Sequence, residues 1–503
     1  MERKSESSSL VMMASTFISR LLGILKSRAL AVFFGAGALS DAINFAYNIP
    51  NNFRKLFAEG SLCQSYLPLF SSFTQDRERS SRLYSQLVSF LLLIFLLLFI
   101  LSIFFSEFLI KLISGFSDEY RTGIAASLLP YFTLFLFFIS LSTLVSTILQ
   151  TRGRFIASSI APIFFTLGIL VSLPLLSGKL SYYSMAAGVI AGSAAQFLVV
   201  YYSFRKLSLR FRFDFSFSSP DFRCVLSHWL PSSISSIIAI VSQTITLYLA
   251  SSLAEGSVTA FSNAVIFYQA PYGVFFASIA AVYSPQFSQA SDEKERAGLL
   301  CRSMGYLYTF LLPSALILLT LSRECVAVVL QKGAFTLEDT YLTAGVLNFY
   351  LIAMLPLSFY SILQRYMFSI NRYYTNLIVS ALVTITDLVL TLFFIRCGYG
   401  VSSLAISYIF SSLSGALILF ALVREFEYGK LFRQLLRLTL INLPLIILCA
   451  GYKIWSPSFY ETGSTLANFT RTCLSGLLFA AVTVIMYVIC RVDFLSQLRR
   501  KRS

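Results

Sequence analysis

Histidine is almost absent from this sequence, since His228 is the only one among 503 residues. This scarcity excludes the zinc-binding HExxH motif and disfavours a Ser-His-Asp triad. The chain also lacks a P-loop and a GxSxG nucleophile turn, and its acidic residues are too scattered to suggest a general acid–base pair. The sequence therefore predicts a protein that is not an enzyme.

Charge is scarce as well, because only 12% of the residues are charged whereas 57% are hydrophobic, giving a mean hydropathy of +0.76. The uncharged run Ser89–Phe105 is typical of a helix that spans a bilayer. This composition excludes an ordinary soluble globular protein. The eight cysteines show no CxxC spacing, which favours packing roles over metal or redox roles.

The net charge of +16 does not indicate nucleic-acid binding, because Lys and Arg lie in short clusters between apolar segments. If both termini are cytoplasmic, roughly three times as many Lys and Arg lie in cytoplasmic connections as in opposite ones, in agreement with the positive-inside rule. We interpret the first apolar stretch as a retained helix, not a cleaved signal peptide. Hydropathy predicts an all-α polytopic membrane protein with about fourteen spans, near residues 10–34, 38–72, 83–113, 122–150, 155–177, 181–204, 224–252, 257–289, 298–321, 338–369, 374–395, 400–423, 434–454 and 466–490.

A faint internal repeat predicts how these spans are grouped. FGAG joins the first two spans and Pro50 follows, whereas LAEG joins spans seven and eight and Pro271 follows. Such repeats are typical of transporters built from two halves. We therefore predict two six-helix lobes around a central cavity, plus two C-terminal helices. The predicted divisions are an N-lobe (1–205), an amphipathic cytoplasmic linker on the bilayer surface (206–223), a C-lobe (224–424), and C-terminal helices with a basic tail (425–503).

Five cations interrupt the first two spans, namely Arg20, Lys26, Arg28, Arg54 and Lys55. A charge at the centre of a bilayer costs about 2.5–3.5 kcal/mol on insertion scales, so these side chains are expected to face water, each other or a charged ligand. Arg20, Lys26 and Arg54 are the predicted cavity cations, whereas Arg28 and Lys55 can reach the interface. This arrangement indicates a transport cavity for an anionic substrate.

Polar residues of the second span complete the predicted cavity. Asp41, Asn44 and Asn48 share one helical face through their i, i+3, i+7 spacing. Pro50 predicts a kink that frees backbone carbonyls, which Asn51 could satisfy. We therefore predict that Asp41, Asn48 and Asn51 line the cavity.

Two further acidic residues are candidates for specific roles. Glu59 is a candidate counter-ion for the cavity cations. Asp387, the isolated charge of its span, is a candidate cation or proton site, with hydrogen bonding to neighbouring Ser or Thr residues as the alternative. Gly23, Pro50 and Pro271 are the candidate hinges. No cofactor or metal is expected, and coupling to the membrane potential or to a monovalent cation stays open.

The first spans contain an ordered motif: Ser19-Arg20-Leu21-Leu22-Gly23, Phe34-Gly35-Ala36-Gly37, Asp41-Ala42, Pro50-Asn51, Arg54-Lys55-Leu56-Phe57-Ala58-Glu59-Gly60 and Pro68. Later in the chain come the LAEGSV turn and Pro271-Tyr272-Gly273-Val274. With these motifs the sequence resembles, over essentially the whole chain, the MurJ (MviN) family of lipid II flippases, which belongs to the MOP exporter superfamily.

The resemblance implies two lobes, a groove for a lipid tail formed by the last two helices, and alternating access. It implies transport of an undecaprenyl-diphosphate-linked disaccharide-pentapeptide to the outer leaflet for peptidoglycan synthesis. The implied location is the bacterial inner membrane, and the implied partners are lipid II, membrane lipids and the peptidoglycan synthesis machinery. The family's cavity arginines carry over to Arg20 and Arg54, and its acid to Asp41.

Three positions depart from the family pattern. Lys26-Ser27 replaces an Arg-Asp pair, Val265-Ile266 stands where helix eight usually has Asp-Arg, and Thr246 lies near the place of an acid associated with sodium. These departures keep two alternatives open. One is a flippase or exporter of the same superfamily for another polyprenyl-linked saccharide or a drug, and the other is a non-transporting scaffold of the cell envelope.

Overall fold

The computed structural model describes residues 2–57, 61–73, 76–207, 209–423, 426–455 and 465–492. Within these ranges every regular element is a helix, and no strand occurs. Long apolar runs favour helices in a bilayer because a helix satisfies its own backbone hydrogen bonds. The all-α class predicted from the sequence is confirmed.

Two compact units divide the chain. The first contains Met1–Thr259 and Lys332–Phe335, and the second contains Ala260–Gln331 and Thr336–Ser503. The division at Thr259 differs from the predicted linker at 206–223, so the helix predicted to open the C-lobe belongs to the first unit. The lobe boundaries stay a prediction about the moving parts of a transporter.

Side-chain caps begin several helices of the first unit. Asp76, Asp118 and Ser219 each accept a hydrogen bond from the backbone N–H three residues further on, which satisfies a donor that a helix start leaves open. A 3-10 turn, Arg205–Leu207, follows α8. The α-helices of this unit are α1 (Glu2–Phe34), α2 (Ala38–Phe57), α3 (Ser61–Ser72), α4 (Arg77–Phe104), α5 (Ser106–Ile113), α6 (Glu119–Thr151), α7 (Phe155–Leu180), α8 (Tyr183–Phe204) and α9 (Pro220–Ser251).

Small residues bring α7 and α8 into backbone contact. A Cβ atom built on Gly192 would overlap the backbone oxygen of Phe165, and one built on Gly168 would overlap the Cα of Gly192. Such close approach maximises van der Waals contact between helices in lipid, where the hydrophobic effect gives no driving force. The first helix, α1, packs against α7 of this pair, and α2 packs against α6.

The second unit is built around α13, which packs against α15 and α11. Its first turn is fixed by a capping box, in which Thr336 and Asp339 each accept a hydrogen bond from the other's backbone N–H. The helices of this unit are α10 (Ser257–Gln289, whose first turn lies in the first unit), α11 (Glu293–Thr320), α12 (Ser322–Leu330), α13 (Leu337–Ser369), α14 (Tyr373–Arg396), α15 (Ser402–Ala421), α16 (Tyr428–Ile441), α17 (Leu443–Trp455) and α18 (Thr465–Ile489).

The helices α16 and α17 meet at Asn442 with an angle of 47°, and together they are long and apolar enough to count as one bent span. The Asn442 side-chain amide donates to the Leu438 carbonyl and to the Tyr487 hydroxyl, at 2.8 and 3.0 Å. Tyr487 in turn donates to the Thr309 carbonyl on α11 at 2.8 Å. This hydrogen-bonded bend ties α16, α18 and α11 together.

Ten helices of the described chain are long and apolar enough to cross a membrane, and the bent pair makes eleven. The other three predicted spans coincide with α1, with α2 and α3 together, and with α9. In α9 the apolar stretch Ser236–Ser251 is shorter than the length required of a full span. The polytopic all-helical class is thus confirmed, and each predicted span has a helical counterpart.

Candidate functional site

The candidate site begins with a cation on α1 and an aromatic ring on α2. The Lys26 ammonium lies over the Tyr47 ring, 5.1 Å from its centroid. At this distance the ring quadrupole attracts the cation. Lys26 is half-buried, so the contact holds its charge beside α2 without removing it fully from solvent.

The same face of α2 carries two further predicted site residues. With about 100° of rotation per residue, Tyr47, Asn51 and Arg54 fall within an arc of about 60°. Asn51 and Arg54 are half-buried like Lys26. Helical geometry therefore places a second cation and an amide on the side of α2 where Lys26 lies. We call Lys26, Tyr47, Asn51 and Arg54 the cationic face.

Asp41 lies elsewhere on α2, about 120° around the helix from Tyr47. Its side chain is fully buried, with 0% exposure. The carboxylate accepts hydrogen bonds from the backbone N–H groups of Gly256 and Thr259, at 2.8 and 2.9 Å, and from the Thr259 hydroxyl at 2.7 Å. These donors belong to the residue just before α10 and to the first turn of that helix. Asp41 therefore caps α10, and the structure does not bring it to the cationic face.

Asn44 supports this cap. Its side-chain amide donates to the Thr259 hydroxyl oxygen at 3.2 Å and to the Ser40 hydroxyl oxygen at 3.4 Å. A carboxylate at a helix start also interacts favourably with the positive end of the helix dipole. Asp41 and Asn44 thus hold the turn between α9 and α10, in which Gly256 has a φ of +84°.

Arg121 is a buried cation that the sequence analysis did not single out. It is only 5% exposed, pairs with Asp118 through its Nε atom, and lies over the Phe116 ring at 4.9 Å. Phe116 contacts Phe45 of α2 with a centroid distance of 5.0 Å. The sequence signal for this ion pair was the i, i+3 spacing between Asp118, the N-cap of α6, and Arg121. This group packs beside the α2 segment that carries Asp41.

The FGAG turn also has a partner that sequence reasoning missed. Gly35 has a φ of +64°, and a Cβ there would collide with Ala334. The Ala334 N–H donates to the Val32 carbonyl at 3.1 Å, which fastens the segment Lys332–Phe335 to the end of α1. Its Gly333, in the left-handed region at φ +66°, was the sequence signal for a second tight turn.

Several predicted residues receive no test from these contacts. The side chain of Arg20 and the whole of Glu59 lie outside the described residues. Asn48 is half-buried, about 100° from Tyr47 on α2. Their roles in the cavity stay predictions.

The candidate hinge residues lie within unbroken helices, because α1 continues through Gly23, α2 through Pro50 and α10 through Pro271. The second predicted span is described as two helices, α2 and α3, and the kink at Pro50 stays a prediction. The roles of all three residues as hinges stay predictions.

Asp387 lies on α14 of the second unit and accepts a hydrogen bond from the Ser411 hydroxyl of α15 at 2.9 Å. One turn away, the hydroxyls of Thr391 and Ser407 are 2.6 Å apart. Both interpretations of Asp387 fit this polar seam, since a carboxylate between serines can bind a small cation or serve packing. Among the departures, Ile266 is exposed, and the Thr246 hydroxyl donates to the Ser242 carbonyl of its own helix.

Comparison with known sequences identifies relatives along nearly the whole chain. A family model described as lipid II flippase MurJ matches residues 30–475. A probable lipid II flippase MurJ of Borreliella burgdorferi is 28% identical over 499 residues, covering 98% of each chain. A probable lipid II flippase MurJ of Vibrio cholerae is 27% identical over 379 residues, which are 70% of this chain and 72% of that protein.

Solved structures give the same picture. The chain is similar to a lipid II flippase MurJ in an inward closed conformation, with a TM-score of 0.81 and 25% identity over 97% of this chain and 100% of that one. It is also similar to an inward-facing multidrug resistance MATE family transporter of the MOP superfamily, with a TM-score of 0.61 and 13% identity, covering 84% of this chain and 98% of that one. The second likeness concerns the fold alone.

Proposed function

Because the chain belongs to the lipid II flippase MurJ family, we propose that it moves lipid II from the inner to the outer leaflet by alternating access. The family consists of transporters rather than catalysts, and the chain is a multi-pass bacterial membrane protein. We place it in the inner membrane with both termini in the cytoplasm, as the excess of Lys and Arg in alternate connections favours. Its product would supply the peptidoglycan synthesis machinery, and it would catalyse no covalent step.

The observation that carries this proposal is the cationic face. Lys26 and Arg54 stand on the first two predicted spans, and the Tyr47 contact keeps one of these charges on the α2 side of α1. The diphosphate of a polyprenyl-linked precursor needs such cations when it leaves water. The Arg54 guanidinium offers two parallel donors to phosphate oxygens, whereas Lys26 offers a point charge. Asn51 adds an amide donor for the sugar or phosphate.

Two acidic residues take separate roles in this proposal. Asp41 positions the α9–α10 turn and does not contact the substrate, because the α10 start occupies its carboxylate. Asp387 is proposed as the monovalent cation or proton site that couples transport to an ion gradient. Arg20 and Glu59 are proposed to extend the cationic face and to balance its charge.

Complementation tests the proposal. The native flippase of a bacterium is depleted, and the parent chain and its Arg54→Ala, Arg20→Ala and Lys26→Gln variants are expressed in turn. The parent should restore growth and translocation of lipid II, whereas each variant should fail. Lys26→Arg should keep function because it keeps the charge. Growth on all three charge-removing variants would overturn the cationic face as the substrate site.

A matched control separates charge at this face from charge in general. Lys111 lies on α5, pairs with Glu107 at 2.6 Å and is exposed. Lys111→Ala removes one cation outside the face and should leave growth unchanged. Membrane levels of every variant are compared by immunoblot, so that loss of protein is not mistaken for loss of transport.

One observation favours a second candidate function. Ile266 stands where helix eight of the family usually carries an Asp-Arg pair, and its exposure leaves an apolar patch in place of a charge pair. A related polyprenyl-linked saccharide with a smaller polar headgroup would suit that patch. Competition in a reconstituted flipping assay tests this, because the preferred substrate should inhibit transport of the other at lower concentration. If the protein is a scaffold that transports nothing, neither lipid should be flipped in this assay.

A further inference from the structure

The connection from α8 to α9 lies as an extended strap along α4. We define the strap as residues 209–217. The backbone N–H groups of Arg210, Arg212 and Asp214 donate to the hydroxyls of three serines on α4, at 3.4, 3.1 and 3.1 Å. Those serines, four residues apart, are Ser81, Ser85 and Ser89. The strap is thus held by a regular row of hydrogen bonds and not by helix formation.

This row follows from matching periods. Two residues of extended chain advance about 6.6 Å, and four residues of α-helix advance about 6.0 Å. Every second residue of the strap can therefore hydrogen-bond to every fourth residue of α4, and three such pairs are formed. The sequence predicts an amphipathic linker here, and the structure gives it an extended form because α4 offers acceptors at this spacing.

The same alternation directs three phenylalanine rings outward in a row. Phe211, Phe213 and Phe215 are 41%, 65% and 54% exposed. The first two rings have centroids 5.0 Å apart, and the Phe213 and Phe215 rings are nearly parallel at 6.3 Å. Exposed rings of this size are unfavourable in water, and contiguous apolar patches usually mark a contact with a partner or a membrane.

Cations accompany the rings. Asp214 is engaged by Arg82, 3.6 Å away, and by the Gln86 amide, and Asp221 just beyond the strap is paired with Arg79 at 2.6 Å. Within the described chain, no acidic side chain lies within ion-pair distance of Arg210 or Arg212. Both arginines are exposed.

The position on α4 indicates what these groups face. After Arg82 no charge occurs in α4. The strap runs about 12 Å along the helix, from Ser81 past Arg82 to Ser89 in the uncharged part. The arginines thus lie level with the last charges of α4, and Phe213 and Phe215 lie further along its apolar run. Water suits the arginines but not the rings, and the bilayer core suits the rings but not the arginines.

We propose that the strap binds the headgroups of anionic phospholipids at the membrane surface, with Arg210 and Arg212 at the phosphates and the phenylalanine row among the first acyl carbons. Charge complementarity and the apolar run of α4 beside the strap commit the site to this occupant. In the proposed orientation this is the cytoplasmic leaflet, whose anionic lipids attract basic segments. The site goes beyond lipid II transport and does not use the cationic face.

Fluorescence quenching tests the proposal on the full chain. Phe213→Trp places a reporter on the strap, and the parent chain supplies the background of its two native tryptophans. The protein is reconstituted in phosphatidylcholine vesicles containing a minority of phosphatidylglycerol. Bromine is carried either by the phosphatidylglycerol or by an equal fraction of the phosphatidylcholine. Brominated phosphatidylglycerol should quench the reporter several-fold more, since each basic residue near an anionic surface contributes about a fivefold preference.

Variants assign the preference to the two arginines. The measured quantity is the ratio of quenching by brominated phosphatidylglycerol to quenching by brominated phosphatidylcholine. In the reporter chain, Arg210→Gln with Arg212→Gln should bring this ratio close to one, whereas Lys at both positions should leave it unchanged. High salt should also lower the ratio, because exposed charges are screened. Lys294→Gln with Arg302→Gln removes the same charge from exposed positions on α11 and should change nothing.

Three outcomes would overturn the proposal. Equal quenching by both lipids in the chain with its arginines would show no selection of anionic headgroups. A preference that survives the double Gln variant would assign it to other residues. Absence of quenching by either lipid would show that the strap faces water, where an acidic protein would be the better candidate partner.

Discussion

Asp41 on α2 and Asp387 on α14 are both aspartates placed within predicted membrane spans, yet their surroundings differ. Asp41 is fully buried and accepts three hydrogen bonds, two of them from backbone N–H groups at a helix start. Asp387 is half-buried, accepts a hydrogen bond from the Ser411 hydroxyl and has the Ser407 hydroxyl as a second neighbour. A carboxylate that accepts from backbone N–H groups at a helix start holds structure, whereas one among serine hydroxyls can bind a cation or proton. An acid in a membrane helix is therefore not by itself a functional site.

Removal of the Asp41 carboxylate should give the largest loss of stability. Asp41→Ala leaves the buried N–H groups of Gly256 and Thr259 without an acceptor, which should cost about 2–4 kcal/mol. The thermal midpoint of the purified protein in detergent measures this loss. Asn44→Ala is the control, since it removes only side-chain donors and should cost about 1 kcal/mol or less. Equal midpoints for the two variants would contradict the role of Asp41 as a cap.

Asp387→Asn should show the opposite profile. The amide oxygen can still accept from Ser411, so the thermal midpoint should stay close to that of the parent. The charge is lost, so dependence of flipping on sodium or on the proton gradient should disappear. Flipping in vesicles across a range of sodium concentrations and pH values measures this. A variant with unchanged ion dependence would leave Asp387 as a packing residue.

Ser411→Ala should have a smaller effect at the same site. It removes the donor to Asp387, and hydrogen bonds between membrane helices contribute about 1 kcal/mol, which corresponds to roughly a fivefold change in ion affinity. Half-maximal ion concentration for flipping is the measurement. Ser412→Ala is matched to it, because that hydroxyl donates to the Tyr408 carbonyl of its own helix. A change in ion affinity with Ser412→Ala alone would refute the assignment.

An acid outside the spans should give the smallest effect. The hydrogen bond and charge of Arg79 hold the pKa of Asp221 below its ordinary value. The pair therefore stabilises the fold above the ordinary pKa, and this contribution is lost as the pH falls through the lowered value. Being near the surface, it should amount to less than about 1 kcal/mol.

Thermal midpoints between neutral pH and a pH of about 3 check this prediction. Asp221→Asn should lower the midpoint slightly at neutral pH and reduce its fall in acid, because the carboxylate that titrates is absent. An equal fall in the parent and the variant would show that other carboxylates carry the whole acid response.

Much of the fold could be predicted from the sequence because it depends on local composition. Apolar runs such as Ser89–Phe105 predict spans wherever they occur, and every predicted span has a helix. The extended form of the linker could not be predicted, because it is decided by Ser81, Ser85 and Ser89 on a helix more than a hundred residues earlier.

The candidate site was predictable only in part, for the same reason. Helical spacing places Asn51 and Arg54 on the face of α2 that carries Tyr47, and the Lys26 contact adds α1. Residue type alone predicts that Asp41 lines the same cavity, whereas spacing puts it about 120° around the helix from Tyr47. Its cap depends on Gly256, 215 residues later in the chain. The charge of Asp41 within a predicted span indicates an important residue, and only the tertiary structure shows that it caps α10.

The backbone contact between α7 and α8 has a mechanical consequence. With the Gly168 and Gly192 backbones touching, the two helices have no layer of side chains between them that could shear. The two helices therefore form a rigid pair, and α1 packs against α7 of this pair. Any excursion of Lys26 must then come from flexing of α1 itself or from rotation of the whole three-helix assembly. A methyl group added at Gly168 or Gly192 would separate α7 from α8 and change how far this assembly moves, although no charge would be altered.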